Sequence, residues 1–288
     1  MALEFRRRIF PKPTQKRLLI AGIILLIAVI ALVTVWVVND YHERLEPTQP
    51  TETSEDTPAV YTAADESHCL LILPDLPETR FVLVVSQPAK KRISAVSIPG
   101  NAAADNGKPL QTVFKKQGAA DTTAAIAAAL GIDIPYYIEA DGTAVEDYIT
   151  YLAQGLTVTV DENIAYTDDK VNVHFDAGQL HLTGTQAVSV LKYTGWSDAA
   201  KGEALAGEML SSLLNQYLTE DRGLTADFSR LSNTVKTNLR IDIFHGYRET
   251  LLYLARQNKG EICRPFLLEK CVGTSLAAGK EQLQTILK

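Results

Sequence analysis

The chain has 288 residues, with 28 Lys and Arg against 34 Asp and Glu and 46% hydrophobic residues. Its formal charge of −6 is unevenly spread: six basic residues and Glu4 put +5 on residues 1–38, which leaves −11 on residues 39–288. So acidic a body gives no basis for indiscriminate binding to nucleic acid or to phosphate-rich polymers, and an anionic ligand must be held by a local cluster.

Arg6, Arg7, Arg8, Lys12, Lys16 and Arg17 precede twenty-one uncharged, mostly apolar residues from Leu18 to Val38. A helix of that length spans roughly 30 Å, the hydrocarbon thickness of a bilayer. A cleavable signal peptide would have a shorter apolar region followed by small residues, whereas Trp36 and then Asn39, Asp40 and Tyr41 stand here. The segment reads as a single-pass anchor in the cell membrane. Residues 1–17 form a basic tail held in the cytoplasm by the positive-inside bias, and the remainder lies outside. The basic cluster has no interleaved aromatics, so no nucleic-acid partner is expected. Residues 39–60 read as a disordered extracellular tether, because residues 46–58, EPTQPTETSEDTP, carry no large apolar side chain to offset ordering entropy. Residues 61–288 are of a size for one extracellular domain.

Within that domain, residues 69–73, 81–86 and 92–98 are short runs rich in Val, Ile and Leu between Pro-containing turns, which predicts three strands with a hairpin at 87–91. Residues 121–130 predict a helix with Asp121 as N-cap and Gly131 at its end. A strand over 136–140, an amphipathic helix over 143–152 stopped by Gly155, and a strand over 156–160 follow. A turn at 180–184 leads to a helix over 183–193 and a longer one over 198–217. Two more short helices fall within 225–257, and 273–288 reads as a surface helix or a frayed end. Alternation of this kind predicts an α/β fold, a mixed central β-sheet with helices on both faces, preceded by the transmembrane helix.

Three cysteines are present. Cys69, in an apolar run, reads as a buried thiol. Cys263 and Cys271 bracket a short loop and read either as a disulfide or as two separate core thiols. No Cys/His spacing suits zinc. His174 and His181 fall on a predicted loop and turn without a partner that spacing identifies, and Ser86, Ser94 and Ser97 carry no nucleophile-elbow sequence.

The run from Val84 to Ser97-Ile98-Pro99 resembles the Ser-Ile-Pro hairpin of the LytR-CpsA-Psr family of membrane-anchored cell-envelope proteins. Three later segments strengthen the resemblance: Leu130-Gly-Ile-Asp-Ile-Pro-Tyr-Tyr137, Leu156-Thr-Val-Thr-Val160, and the stretch from Gly178 through Leu182-Thr-Gly184 and Ala187 to Lys192-Tyr193. It covers roughly residues 69–257. It implies a LytR-CpsA-Psr-like αβα domain of the kind that moves glycopolymers, such as teichoic acid or capsular polysaccharide, from a polyprenyl pyrophosphate onto peptidoglycan. The lipid would lie in an apolar tunnel, arginines would clamp the pyrophosphate, and a divalent metal such as Mg2+ would assist an active member.

The arginine pattern departs from the family. Gly100-Asn101 stands where Arg-Asp follows the Ser-Ile-Pro motif, the loop between the first two strands shrinks to residues 74–80, Arg-Tyr-Arg becomes Lys192-Tyr193-Thr194, and the later Asp-x-x-Arg-x-x-Arg-Gln becomes Asp198 through Lys201 to Ala204-Leu205. An arginine at a phosphoryl-transfer transition state is worth about 10³ to 10⁵ in rate, and lysine keeps its charge without the planar fork. The resemblance therefore implies a catalytically weakened member that binds a polyprenyl-linked glycan or an envelope protein partner. The alternative is a working phosphotransferase, with Asp75, Arg80 and Asp198 as candidate catalytic residues, Arg80, Lys108, Lys192 and Lys201 as ligand-binding residues, and Asp75 as candidate metal ligand. Each has a plainer reading beside it: a solvated turn for Asp75 and Arg80, an N-cap for Asp198, a surface lysine for Lys108. Tyr136, Tyr137, Tyr148 and Tyr151 either line the tunnel or pack in the core. A third reading, a structural or adhesive ectodomain, would have a packed core and no tunnel.

Overall fold

The computed structural model describes residues 61–62, 65–151, 155–168 and 171–288. The basic tail, the anchor and the whole of the tether lie outside the described residues, among which no helix is long and apolar enough to cross a membrane.

Strands β1 (Ser67–Leu73), β2 (Arg80–Gln87) and β3 (Arg92–Ile98) form an antiparallel meander, with β4 (Tyr136–Glu139) parallel to β1 on its other side. Two further strands complete a six-stranded mixed sheet: β9 (Lys236–Thr237) beyond β4 and β10 (Cys263–Leu267) parallel to β3 at the opposite edge. Two ribbons stand apart from it, β5 (Leu156–Val160) with β8 (Gly178–Leu182), and β6 (Ile164–Thr167) with β7 (Asn172–Phe175).

Side chains alternate across a strand, and here both faces are apolar because helices cover both. Leu70, Ile72, Phe81 and Leu83 pack on one side with α1 (Leu110–Leu130) and the C-terminal α7 (Lys280–Leu287). Leu73, Val82, Ile93 and Ala95 pack on the other with α2 (Gly142–Tyr151), α3 (Gly184–Lys192), α4 (Ala199–Tyr217) and α6 (Ile241–Gln257). The short α5 (Leu224–Ser232) joins that second layer. Phe81, Leu70, Ile72 and Leu83 are at most 1% exposed, and burial of each such side chain contributes roughly 1.5–3 kcal/mol.

Several sequence expectations are corrected here. Asp121 is an interior residue of α1: the helical run begins at Leu110 and is broken at Gly118, whose φ of 81° a residue with a side chain rarely adopts. Gly131 does close α1, at φ 68°, its N–H donating to Ala127 and Ala128 carbonyls. The turn expected at 180–184 is the end of strand β8 running into α3. That helix opens with a reciprocal capping box, in which Gln186 N–H donates to Thr183 Oγ1 and Thr183 N–H to Gln186 Oε1. The chain end is no frayed tail, since Leu283 is 1% exposed against α1 and the sheet.

Cys263 and Cys271 are separate buried thiols on opposite faces of the sheet, Cys263 with the α4 layer and Cys271 with the α1 layer. Burial pushes the Cys69 thiol up to about 12 and the Cys263 thiol up to about 11. Folded protein at pH 8 is expected to react only slowly with a thiol reagent, and to release three reactive thiols once unfolded without reductant. A second prediction concerns Gly207, where a Cβ would lie 2.5 Å from Ser97 Oγ and 3.2 Å from the Ala95 carbonyl oxygen. Gly207→Ala must push α4 off β3, and is expected to lower stability in urea denaturation by about 1–3 kcal/mol.

Candidate functional site: an apolar cavity and a set of paired cations

Between the sheet and the second helical layer lies a cavity of about 390 Å³. Its floor is the β1, β2 and β4 face carrying Leu71, Leu73, Val84 and Ile138; its walls come from α2, α4, α5 and α6. Along β1 it runs from Ser67 to Leu73, which is about 20 Å at strand rise. Three small residues, Ala140, Ala144 and Ala206, are part of its lining. Phe228 and Phe244, stacked with centroids 4.1 Å apart, brace α5 against α6. Tyr136 and Tyr148 line the cavity, as the tunnel reading expects. Tyr137 faces the α1 layer instead, and Tyr151 is 36% exposed. A cavity of this size lined largely by apolar groups is the ordinary form of a small-ligand site.

The cations that the resemblance singles out are mostly occupied. Arg80 is buried at the start of β2, and its Nη1 lies 2.8 Å from Glu78 Oε2 and 3.0 Å from Glu203 Oε2. Glu203, in the first turns of α4 and 4% exposed, also accepts the Gly100 N–H at 3.3 Å. Burial pushes its carboxyl up, and the Arg80 guanidinium and Gly100 N–H pull it back. A guanidinium and a backbone amide that together would suit an anion thus already hold a carboxylate of the same chain. Lys192 faces Asp168 at 3.7 Å, and Lys201 lies between Asp161 at 2.8 Å and Glu162 at 3.3 Å. Lys108 is exposed in the turn before α1, its ammonium outside any ion pair among the described residues. Asp198 is the N-cap of α4, accepting the Ala200 N–H at 2.9 Å.

Asp75 is exposed on the turn between β1 and β2. Glu139 holds the Lys236 ammonium above its ordinary value, with Asp75 and Asp141 adding to the effect. Among the described residues no three His, Cys, Asp or Glu side chains converge as a metal would need. His174 is exposed beside Asp176, and His181 pairs with Thr157 across the β5–β8 ribbon.

Glu203 is the residue that sequence reasoning passes over. Its signal is a carboxylate on the same helical stripe as the cavity-lining Ala206 and Leu210, where a charge requires a buried partner. The Arg222–Asp227 pair in the cavity wall carries no motif in the sequence, because its two residues lie in a largely polar stretch.

Together these features define a class: a helix-covered mixed sheet enclosing an apolar site, with an acid-quenched basic cluster at one end of α4. The chain belongs to the LytR_cpsA_psr family, whose profile matches residues 79–260. Its fold is similar to that of a Eubacterium siraeum protein with a provisional transcription-regulator label, at TM-score 0.70 and 16% identity over 83% of this chain and 99% of that one. It is also similar to B. subtilis TagV, at TM-score 0.61 and 17% identity over 77% of this chain and 95% of TagV. TagT bound to LIIa-WTA matches at TM-score 0.52 and 20% identity, over 71% of this chain and 82% of TagT. No curated protein matches the sequence.

Breaking one side of the buried pair is expected to be costly while removing both sides is not. Glu203→Ala should lower stability by about 3–5 kcal/mol in urea denaturation, and Arg80→Met combined with Glu203→Leu should recover most of that loss.

Proposed function

We propose that this chain is a membrane-anchored cell-envelope protein whose extracellular domain binds the apolar chain of a polyprenyl-linked glycan and has little or no glycopolymer-transfer activity. The observation that carries the reading is the apolar cavity between the sheet and α2, α4, α5 and α6. Family membership and the likeness to TagV and to TagT bound to LIIa-WTA support a glycopolymer-related ligand. The anchor at residues 18–38 would hold the cavity beside the membrane in which such carrier lipids reside.

Electrostatics disfavours transfer. A phosphoryl-transfer site works through cations aimed at the developing charge, and those cations must be available. Arg80, Lys192 and Lys201 each have a carboxylate of this chain within 4 Å, so a pyrophosphate must compete with or displace Glu78 and Glu203, Asp168, or Asp161 and Glu162. For Arg80 that displacement would leave Glu203 buried without its partner, which is the costly half of a broken pair.

The full chain in detergent is expected to bind a polyprenyl phosphate and to leave it uncleaved in the presence of Mg2+. Leu213→Trp, which adds volume on the cavity wall, should abolish binding with circular dichroism unchanged. Cleavage at a rate comparable to an active transferase would overturn the proposal in favour of the phosphotransferase reading. Binding unaffected by Leu213→Trp would show that the cavity is not the site.

A further inference from the structure

The acid-quenched cluster lies at the start of α4, and the cavity extends toward the other end of that helix. Lys201 in the first turn and Tyr217 in the last are about 24 Å apart along the axis. Just past Tyr217, Arg222 enters the cavity wall. Its Nε lies 2.6 Å and its Nη2 3.5 Å from the two Asp227 oxygens, so the carboxylate takes one edge of the guanidinium. Nη1 has no ion pair among the described residues, and the side chain is 22% exposed.

A second guanidinium sits beside it. Arg230 lies 4.2 Å from the centroid of the Tyr151 ring and Arg222 lies 5.8 Å from the same centroid, so one aromatic ring orients both. Arg230 is exposed and has no carboxylate partner among the described residues, in contrast to Arg80, Lys192 and Lys201. Two like charges gathered on one ring with a single ion-paired carboxylate, Asp227, leave one positive charge uncompensated beside the stretch of cavity wall that Arg222 lines, with Arg230 on the outer surface next to it. Tyr148 lines the same stretch of wall. Burial, with Asp227 adding to it, pushes its hydroxyl up to about 12, so it stays protonated and able to donate.

We infer that this end of the cavity is an anion-binding mouth, where Arg222 and Arg230 take the phosphate-type head of an amphiphile whose single apolar chain lies in the cavity. The inference rests on the cavity reading above and adds the ligand's orientation: the head is at the α5 end, away from Arg80 and Lys201. Phosphate chemistry follows from the planar donor forks, which engage its oxygens in pairs, and from the free edge that Asp227 leaves on Arg222.

The test compares three probes on the full chain in detergent: geranylgeranyl monophosphate, geranylgeraniol and inorganic pyrophosphate. The phosphate is expected to bind roughly tenfold more tightly than the alcohol, a preference that charge-assisted hydrogen bonds supply and that weakens as salt is raised. Arg230→Glu should erase that preference while the alcohol, which lacks the head, binds as before. Because Arg222→Ala alone would strand the buried Asp227, the partner variant is Arg222→Gln with Asp227→Asn, which removes both charges and should also erase the preference. Equal binding of phosphate and alcohol to the native chain, or a preference that survives Arg230→Glu, overturns the mouth and leaves the cavity reading intact. Failure of both the phosphate and the alcohol to bind overturns the cavity reading itself. Pyrophosphate alone binding as tightly as the lipid phosphate would make this a free-phosphate site and overturn the assignment of an amphiphile.

Discussion

Most of the domain depends on how helix α4 lies against the sheet. At Gly207 it approaches so closely that a single methyl group would collide with Ser97 and the Ala95 carbonyl. Three turns of contact follow from that approach. Glu203 reaches Arg80 and the Gly100 amide, while Ser211 and Asn215 hydrogen-bond the backbone of Cys263. The last contacts fix the edge strand β10, where Pro265 and the Asn215 side chain together discourage further strand pairing. The helix packs on β3 and β10, and the cavity lies between its other residues and the β1, β2 and β4 face.

Charge placement follows the same geometry. The start of α4 brings Glu203 and Lys201 to the place where the family resemblance expects phosphate-binding arginines, and every cation there is met by an acid from β2's approach, from the β5–β6 connection or from the segment after β6. An acidic body of −11 beyond residue 38 has acids to spare for this. What results is a scaffold with its apolar volume open and its first basic cluster internally neutralised. Under the proposed function, binding would draw on the cavity area, while phosphoryl transfer would draw on unpaired positive charge.

The strands that read clearly in the sequence, β1 to β5, are those whose β-branched and aliphatic runs are bounded by Pro or Gly. β10 did not, because Arg264 and Pro265 interrupt a five-residue strand whose parallel pairing to β3 joins residues about 170 positions apart. β6 and β7 were missed for a related reason: they form a small ribbon with every other residue exposed, and so carry little hydrophobic signal. Asp121 has the sequence signature of a cap because Gly118 breaks the helical pattern just before it, although the chain is helical on both sides of that glycine. Of the site, Arg80, Lys192 and Lys201 were legible as cations, but their quenching was not, since it depends on acids up to 123 residues away along the chain.

The sequence by itself determined the layered α/β class, the family and the list of missing arginines, because these are written in local periodicity and short motifs. The tertiary structure alone decided that Cys263 and Cys271 stay apart, that Arg80 is answered by Glu203, and that Arg222 and Arg230 meet over Tyr151. The physical reason is that burial and charge pairing are properties of distance. A strand reverses the facing of its side chains at every residue, and helices bring together residues far apart in the chain, so the sign of a local charge says nothing about which opposite charge will meet it.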